Sequence, residues 1–149
     1  MFKKIFTALL LLYFCQNNWG LAQPSLNGAT GLLELPTADV VKKESFGIGI
    51  YSADDVKIRN MDYGLAEKLE VSFANEKHDI EQINKFNVKY VLLSETVLTP
   101  GLAVGINDLT EKSERSTFAV VSKGLTVGYR VHAGIGSVDF EKGFVELKK

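Results

Sequence analysis

The sequence predicts an all-β fold: an antiparallel up-and-down meander of about eight strands, curled into a small β-barrel that closes or stays open at its last strand. Three observations carry this. Apolar residues recur with period two from Ser45 onward, no segment holds a convincing 3.6 period, and 13 glycines stand against three prolines. A length of 149 residues leaves room for one domain of ordinary size. With 46% hydrophobic and 23% charged residues, the chain is neither a disordered tail nor a multi-span helical protein. A formal charge of -1 offers no basic surplus to neutralise a phosphate backbone, so nucleic acid is not an expected partner. One cysteine and two histidines exclude a disulfide framework and a zinc finger.

Residues 1–22 read as a secretory signal peptide. Lys3 and Lys4 supply the basic start, Ile5 to Cys15 form an apolar run interrupted only by Thr7, and Gly20-Leu21-Ala22 places small residues at -3 and -1. The run falls short of the roughly 20 residues a membrane-spanning helix needs. Cleavage is therefore expected after Ala22. Cys15 follows the bulky Tyr13-Phe14 instead of the small residues a lipoprotein signal requires, so it is expected to leave with the leader. Losing Lys3 and Lys4 leaves 15 basic against 18 acidic residues in the mature chain, which has no thiol. Export without disulfides fits a bacterial envelope protein stabilised by its sheet alone.

Residues 23–44 form a lead segment, and the barrel domain occupies 45–149. Strands are expected at 46–53, 57–63, 69–75, 86–93, 102–107, 116–122, 127–137 and 142–147. In the first, Phe46, Ile48 and Ile50 share one face, opposite Gly47, Gly49 and Tyr51. Leu69, Val71 and Phe73 oppose Glu70, Ser72 and Ala74. Phe86, Val88, Tyr90 and Leu92 oppose Asn87, Lys89, Val91 and Leu93. Leu102, Val104 and Ile106 oppose Ala103, Gly105 and Asn107. Phe118 and Val120 are assigned to the apolar face, opposite Thr117, Ala119 and Val121. In the seventh strand Val131, Ala133 and Ile135 oppose Arg130, His132, Gly134 and Gly136. The connections at 65–68, 94–100 and 123–126 read as short or turn-rich, and those at 76–84 and 108–115 as longer and charged. Such alternation places tight turns at one end and long loops at the other.

Two architectures share this pattern. In a soluble sheet the apolar face is the core; in an outer-membrane barrel it meets lipid. The opposite face is rich in glycine and alanine, which suits a crowded barrel interior. It also carries Asp62, Glu70, Lys89 and Arg130, with His132 beside Arg130. These five residues are the candidate site: a network of charges pairing inside a narrow lumen and leaving no open pore. On the lipid-facing reading, Ile48, Val71, Val88, Val104, Val120 and Val131 point outward. The aromatic residues are sparse for a girdled barrel, and the chain ends Leu147-Lys148-Lys149 after a short strand. Either the sheet is open there or the chain is a shortened form of something longer.

The run Leu26-Asn27-Gly28-Ala29-Thr30-Gly31-Leu32-Leu33-Glu34-Leu35-Pro36-Thr37-Ala38-Asp39 resembles the opening of the YjbH-like family of bacterial outer-membrane β-barrel proteins. In that family a Gly-x-x-Gly-Leu motif and a Pro-Thr-Ala motif follow the signal peptide, matched here by Gly28, Gly31, Leu32 and by Pro36, Thr37, Ala38. Asp62-Tyr63-Gly64-Leu65, Phe86-Asn87-Val88-Lys89-Tyr90 and Tyr129-Arg130-Val131-His132 look like its hairpins. The resemblance implies a non-enzymatic protein of the Gram-negative outer membrane, structural or accessory to exopolysaccharide production or export. Its partners would be outer-membrane lipid and envelope polysaccharide or export machinery. Read physically, Gly28 and Gly31 permit tight backbone, and Pro36 ends a short lead strand, so that the segment plugs or braces the periplasmic mouth.

No cofactor or metal is expected. His78 and His132 lack carboxylates at ligand spacing, no Gly-x-Ser-x-Gly elbow occurs, and no Ser–His pair stands out. The competing class is a secreted or periplasmic β-sheet binding module for an apolar ligand or a partner strand.

Overall fold

Eight antiparallel strands form one sheet in which each strand pairs with its neighbours in sequence. They are β1 (Phe46–Ala53), β2 (Val56–Ala66), β3 (Leu69–His78), β4 (Gln82–Leu93), β5 (Gly101–Asn107), β6 (Ser116–Gly124), β7 (Arg130–Gly136) and β8 (Phe144–Lys148). The computed structural model describes residues 23–32, 35–53, 56–78, 80–112, 115–125, 128–137 and 144–148. The expected signal peptide, Cys15 included, lies outside the described residues, as do positions 127 and 142–143 of the last two expected strands. β1 and β8 stand at the two ends of the strand order and do not pair with each other, so the meander is an open sheet instead of a closed barrel.

The sheet exposes its apolar face and covers its polar one. Its apolar face is turned away from the rest of the chain: Ile50 is 75% exposed, and Phe46, Ile48, Met61, Phe73, Phe86, Tyr90 and Ile135 are all exposed. The opposite face is covered, and what it buries is mostly polar: Asn60, Asp62, Glu70, Ser72, Asn87, Lys89, Asn107, Ser116, Ser122 and His132. The small apolar core lies on this covered face too, where Ala29 and Ala38 of the lead segment meet Val91, Ala103, Phe118 and Val120.

Three expectations change. First, β6 has the opposite facing. Phe118 and Val120 point into the covered face, Val120 with no exposure, while Ala119 and Val121 point out. β6 is apolar on both faces, so its alternation does not choose a side; its neighbours do. Phe118 pairs with Gly105, where any Cβ would stand 2.3 Å from the Phe118 ring, and Ser122 pairs with His132. The missing side chain at Gly105 makes the space that Phe118 fills. Val120 is thus removed from the outward set.

Second, the charged stretch 76–84 is not a long loop. β3 runs to His78 and β4 starts at Gln82, because polar residues pair across the hairpin: Asn75 Nδ2 donates to Asn84 Oδ1 (2.6 Å), and Lys85 Nζ reaches Glu76 Oε1 (2.8 Å). Connections 54–55, 67–68 and 79–81 are tight, whereas 94–100, 108–115, 125–129 and 137–143 are longer. Short and long connections therefore divide the sheet by halves, not by ends. Third, among the described residues the lead segment forms no strand. It folds on itself through isolated bridges Pro24–Thr30 and Gly31–Pro36, and reaches the sheet ladder only at Lys43–Gly64.

Candidate functional site

The lead segment lies along the covered face, and every strand from β1 to β7 supplies a group that touches it. Tyr51 of β1 donates its hydroxyl to the Pro24 carbonyl, and Asn60 of β2 donates its amide to the Ser25 carbonyl. Asn87 of β4 donates to the Asn27 carbonyl (2.8 Å) and accepts from Asp108 N–H (2.9 Å). Ser122 Oγ of β6 accepts from Ala38 N–H (2.8 Å). A Cβ built on Gly101 of β5 would lie 3.3 Å from that of Ala38.

At the centre is a corner built on Thr30. Its N–H donates to Glu70 Oε1 (2.7 Å), and its hydroxyl donates to Glu70 Oε2 while standing 3.3 Å from Asp62 Oδ2. Val41 N–H donates to Glu70 Oε2 (2.9 Å). Lys89 Nζ donates to the Thr30 carbonyl (2.6 Å) and lies 3.4 Å from Glu70 Oε1. Antiparallel register explains why these charges meet: Glu70 faces Lys89 across β3–β4, and Asp62 lies on the next strand over. Asp62 is 0% exposed, Glu70 and Lys89 1% each. Charges so buried require partners, and the one ammonium faces two carboxyl groups.

Arg130 does not join this corner. It is half-buried and pairs elsewhere, with Asp39 through two contacts (2.6 and 2.8 Å) and with Glu95 (2.7 Å). His132 belongs to neither ion cluster. It is buried, its Nδ1 lies 2.8 Å from Ser122 Oγ, and its Nε2 has no hydrogen-bond partner among the described residues. The five candidate charges thus separate into a buried corner (Asp62, Glu70, Lys89), an outer clasp at Arg130, and a histidine backing Ser122.

Several site residues were not singled out from sequence. Asn60 and Asn87 sit two positions from Asp62 and Lys89, so the same alternation would have found them. Ser122 was hidden by the misassigned face of β6, and with it the Ser122–His132 pair. Glu95 lies in a connection, where no periodicity speaks. Thr30 and Asp39 fall inside the motif-bearing run, but nothing in one sequence says that they meet β3 and β7. Among the motif glycines, Gly28 adopts φ +101°, and Gly31 has no room for a Cβ, which would stand 2.2 Å from the Leu35 carbonyl oxygen.

Fold and site together define an all-β protein whose polar sheet face is wrapped around its own N-terminal segment. The chain belongs to the YjbH family, described as exopolysaccharide biosynthesis protein YbjH, which it matches over residues 25–145. No curated protein and no solved structure matches it.

Proposed function

We propose that this is a non-enzymatic outer-membrane protein, accessory to exopolysaccharide production or export, whose exposed apolar face meets lipid with the free edges of β1 and β8 paired or covered there. The observation that carries the membrane reading is the inverted burial: large apolar side chains outside, ion pairs and amides inside. In water such a surface would be an extended apolar patch far beyond what a monomer tolerates. Aromatic residues on the outer face add support, since Phe46 faces Tyr63 and Phe73 faces Phe86 across the ladder. The family description supports the polysaccharide role.

Cell fractionation tests the location. The protein should pellet with outer membranes, require detergent and change gel mobility on heating. Release by osmotic shock would instead favour the binding-module class. That second reading has one observation of its own: a cavity of about 580 Å³ on the outer face, bordered by Tyr90, Val104, Ile106, Ala119 and Ile135. Loss of cell-surface exopolysaccharide on deleting the gene would test the role.

A further inference from the structure

We propose that the covered polar face is a binding trough for an uncharged, hydroxyl-rich polysaccharide strand, and that residues 23–32 and 35–44 are its resident occupant, displaced when polymer enters. The inference rests on the polysaccharide-related reading above and adds the site, the ligand chemistry and the autoinhibitory contact.

The first argument is what the sheet grips. Tyr51, Asn60, Asn87 and Lys89 donate to carbonyls of Pro24, Ser25, Asn27 and Thr30, while Glu70 and Ser122 accept from the N–H groups of Thr30, Val41 and Ala38. These are main-chain atoms. The trough therefore recognises a string of donors and acceptors along an extended polymer more than it recognises side chains. Sugar hydroxyls and ring oxygens present the same kind of string.

The second argument is what remains unsatisfied. Asn60 Oδ1, Asp62 Oδ1, Asn107 Oδ1 and His132 Nε2 are buried without a hydrogen-bond partner among the described residues. Such groups are costly to leave unmade. Three of the four are acceptors. A peptide brings one N–H per residue, whereas a hydroxyl both donates and accepts, so a glycan has the donors that the lead segment lacks. The corner pairs its one ammonium, Lys89, with Glu70, which leaves no surplus cation there to hold a polyanion and so favours a neutral polymer.

The third argument is that the occupant is not itself part of the sheet. Among the described residues it contributes no strand, and the Lys43–Gly64 bridge alone joins it to the sheet ladder, so its departure leaves the strand pairings from β1 through to β8 intact. At the junction with β1, Glu44 takes φ 60°, a left-handed conformation uncommon for glutamate and suited to a hinge.

The test uses the full chain in detergent with dextran oligosaccharides as the neutral probe and alginate oligosaccharides as the anionic one. An Ala38→Cys/Gly101→Cys pair fixes the occupant, since the two Cβ atoms would be 3.3 Å apart, close to disulfide geometry. Calorimetric titration should show dextran binding to the reduced form and binding about tenfold weaker or worse after oxidation. Alginate should not bind. Arg130→Gln, which opens the outer clasp, should tighten dextran binding severalfold. Asn107→Ala, which removes an orphaned acceptor, should weaken it. Equal affinity of oxidised and reduced forms overturns the displaceable occupant. Absence of dextran binding by Arg130→Gln, or unchanged affinity in Asn107→Ala, overturns the site, and preference for alginate overturns the ligand class. The broader role fails separately, if deleting the gene leaves cell exopolysaccharide unchanged.

Discussion

Asp39 and Arg130, 91 positions apart in the chain, meet in a two-point ion pair with N–O distances of 2.6 and 2.8 Å. Burial alone would push the Asp39 carboxyl up. The hydrogen bonds and charge of Arg130, with help from Thr37 and Lys89, outweigh it and hold the group below the ordinary aspartate value of 3.8. Because the folded value lies below the unfolded one, the stability this pair contributes is complete above about pH 4–5 and is lost as pH falls through the folded value. Heat-modifiability measured against pH should therefore show weakening in acid, and Asp39→Asn should flatten that dependence.

The same pair is partly open to solvent, with Arg130 and Asp39 side chains 33% and 36% exposed. Arg130→Ala should thus destabilise by about 1–2 kcal/mol, above a fully exposed pair and below a buried one. Denaturant unfolding of the detergent-solubilised protein measures it.

Lys89→Ala should be the more damaging change, about 3–5 kcal/mol, because it leaves Asp62 and Glu70 buried with no cation beside them. Joint replacement with Lys89→Met and Glu70→Leu should recover only part of the loss. The ion pair would be gone, yet the amides of Thr30 and Val41 would lose their shared acceptor. Full recovery in the same unfolding assay would mean that the lead segment gains nothing from Glu70.

Val104 sits mid-β5 on the outer face. In a bilayer, Val104→Arg should cost about 2–4 kcal/mol. On a wet surface the same change should stay within about 0.5 kcal/mol. Unfolding from lipid vesicles separates the two, and a small value would remove the membrane reading.

Gly31→Ala forces a Cβ against the Leu35 carbonyl oxygen, with an expected cost of about 1–3 kcal/mol. The strain falls on the lead segment. Hydrogen exchange should therefore quicken at the amides of Thr30 and Val41 while those of β5 keep their protection.

The meander was legible because alternation is a local signal that survives in five of the six strands whose faces the sequence assigns. It failed in β6, where Phe118, Ala119, Val120 and Val121 are all apolar and only the glycine across the ladder decides. It also failed at Glu76 to Lys85, where polarity was read as a loop although Asn75–Asn84 and Glu76–Lys85 pairs extend the hairpin. The charges on the covered face were legible one at a time. Their partners were not, because Thr30 lies 40 positions from Glu70 and Arg130 pairs with a residue of the lead segment instead of another strand.

Those long separations also link distant parts of the sheet. The side-chain contacts that seat the lead segment span from 27 positions, Pro24 to Tyr51, up to 91. The Thr30 end is held by β3 and β4, through Glu70 and Lys89, whereas Ala38 is held by Ser122 of β6 and Asp39 by Arg130 of β7. The lead segment therefore bridges the two halves of the meander: strain in either half reaches the other through a stretch of chain that is not part of the ladder.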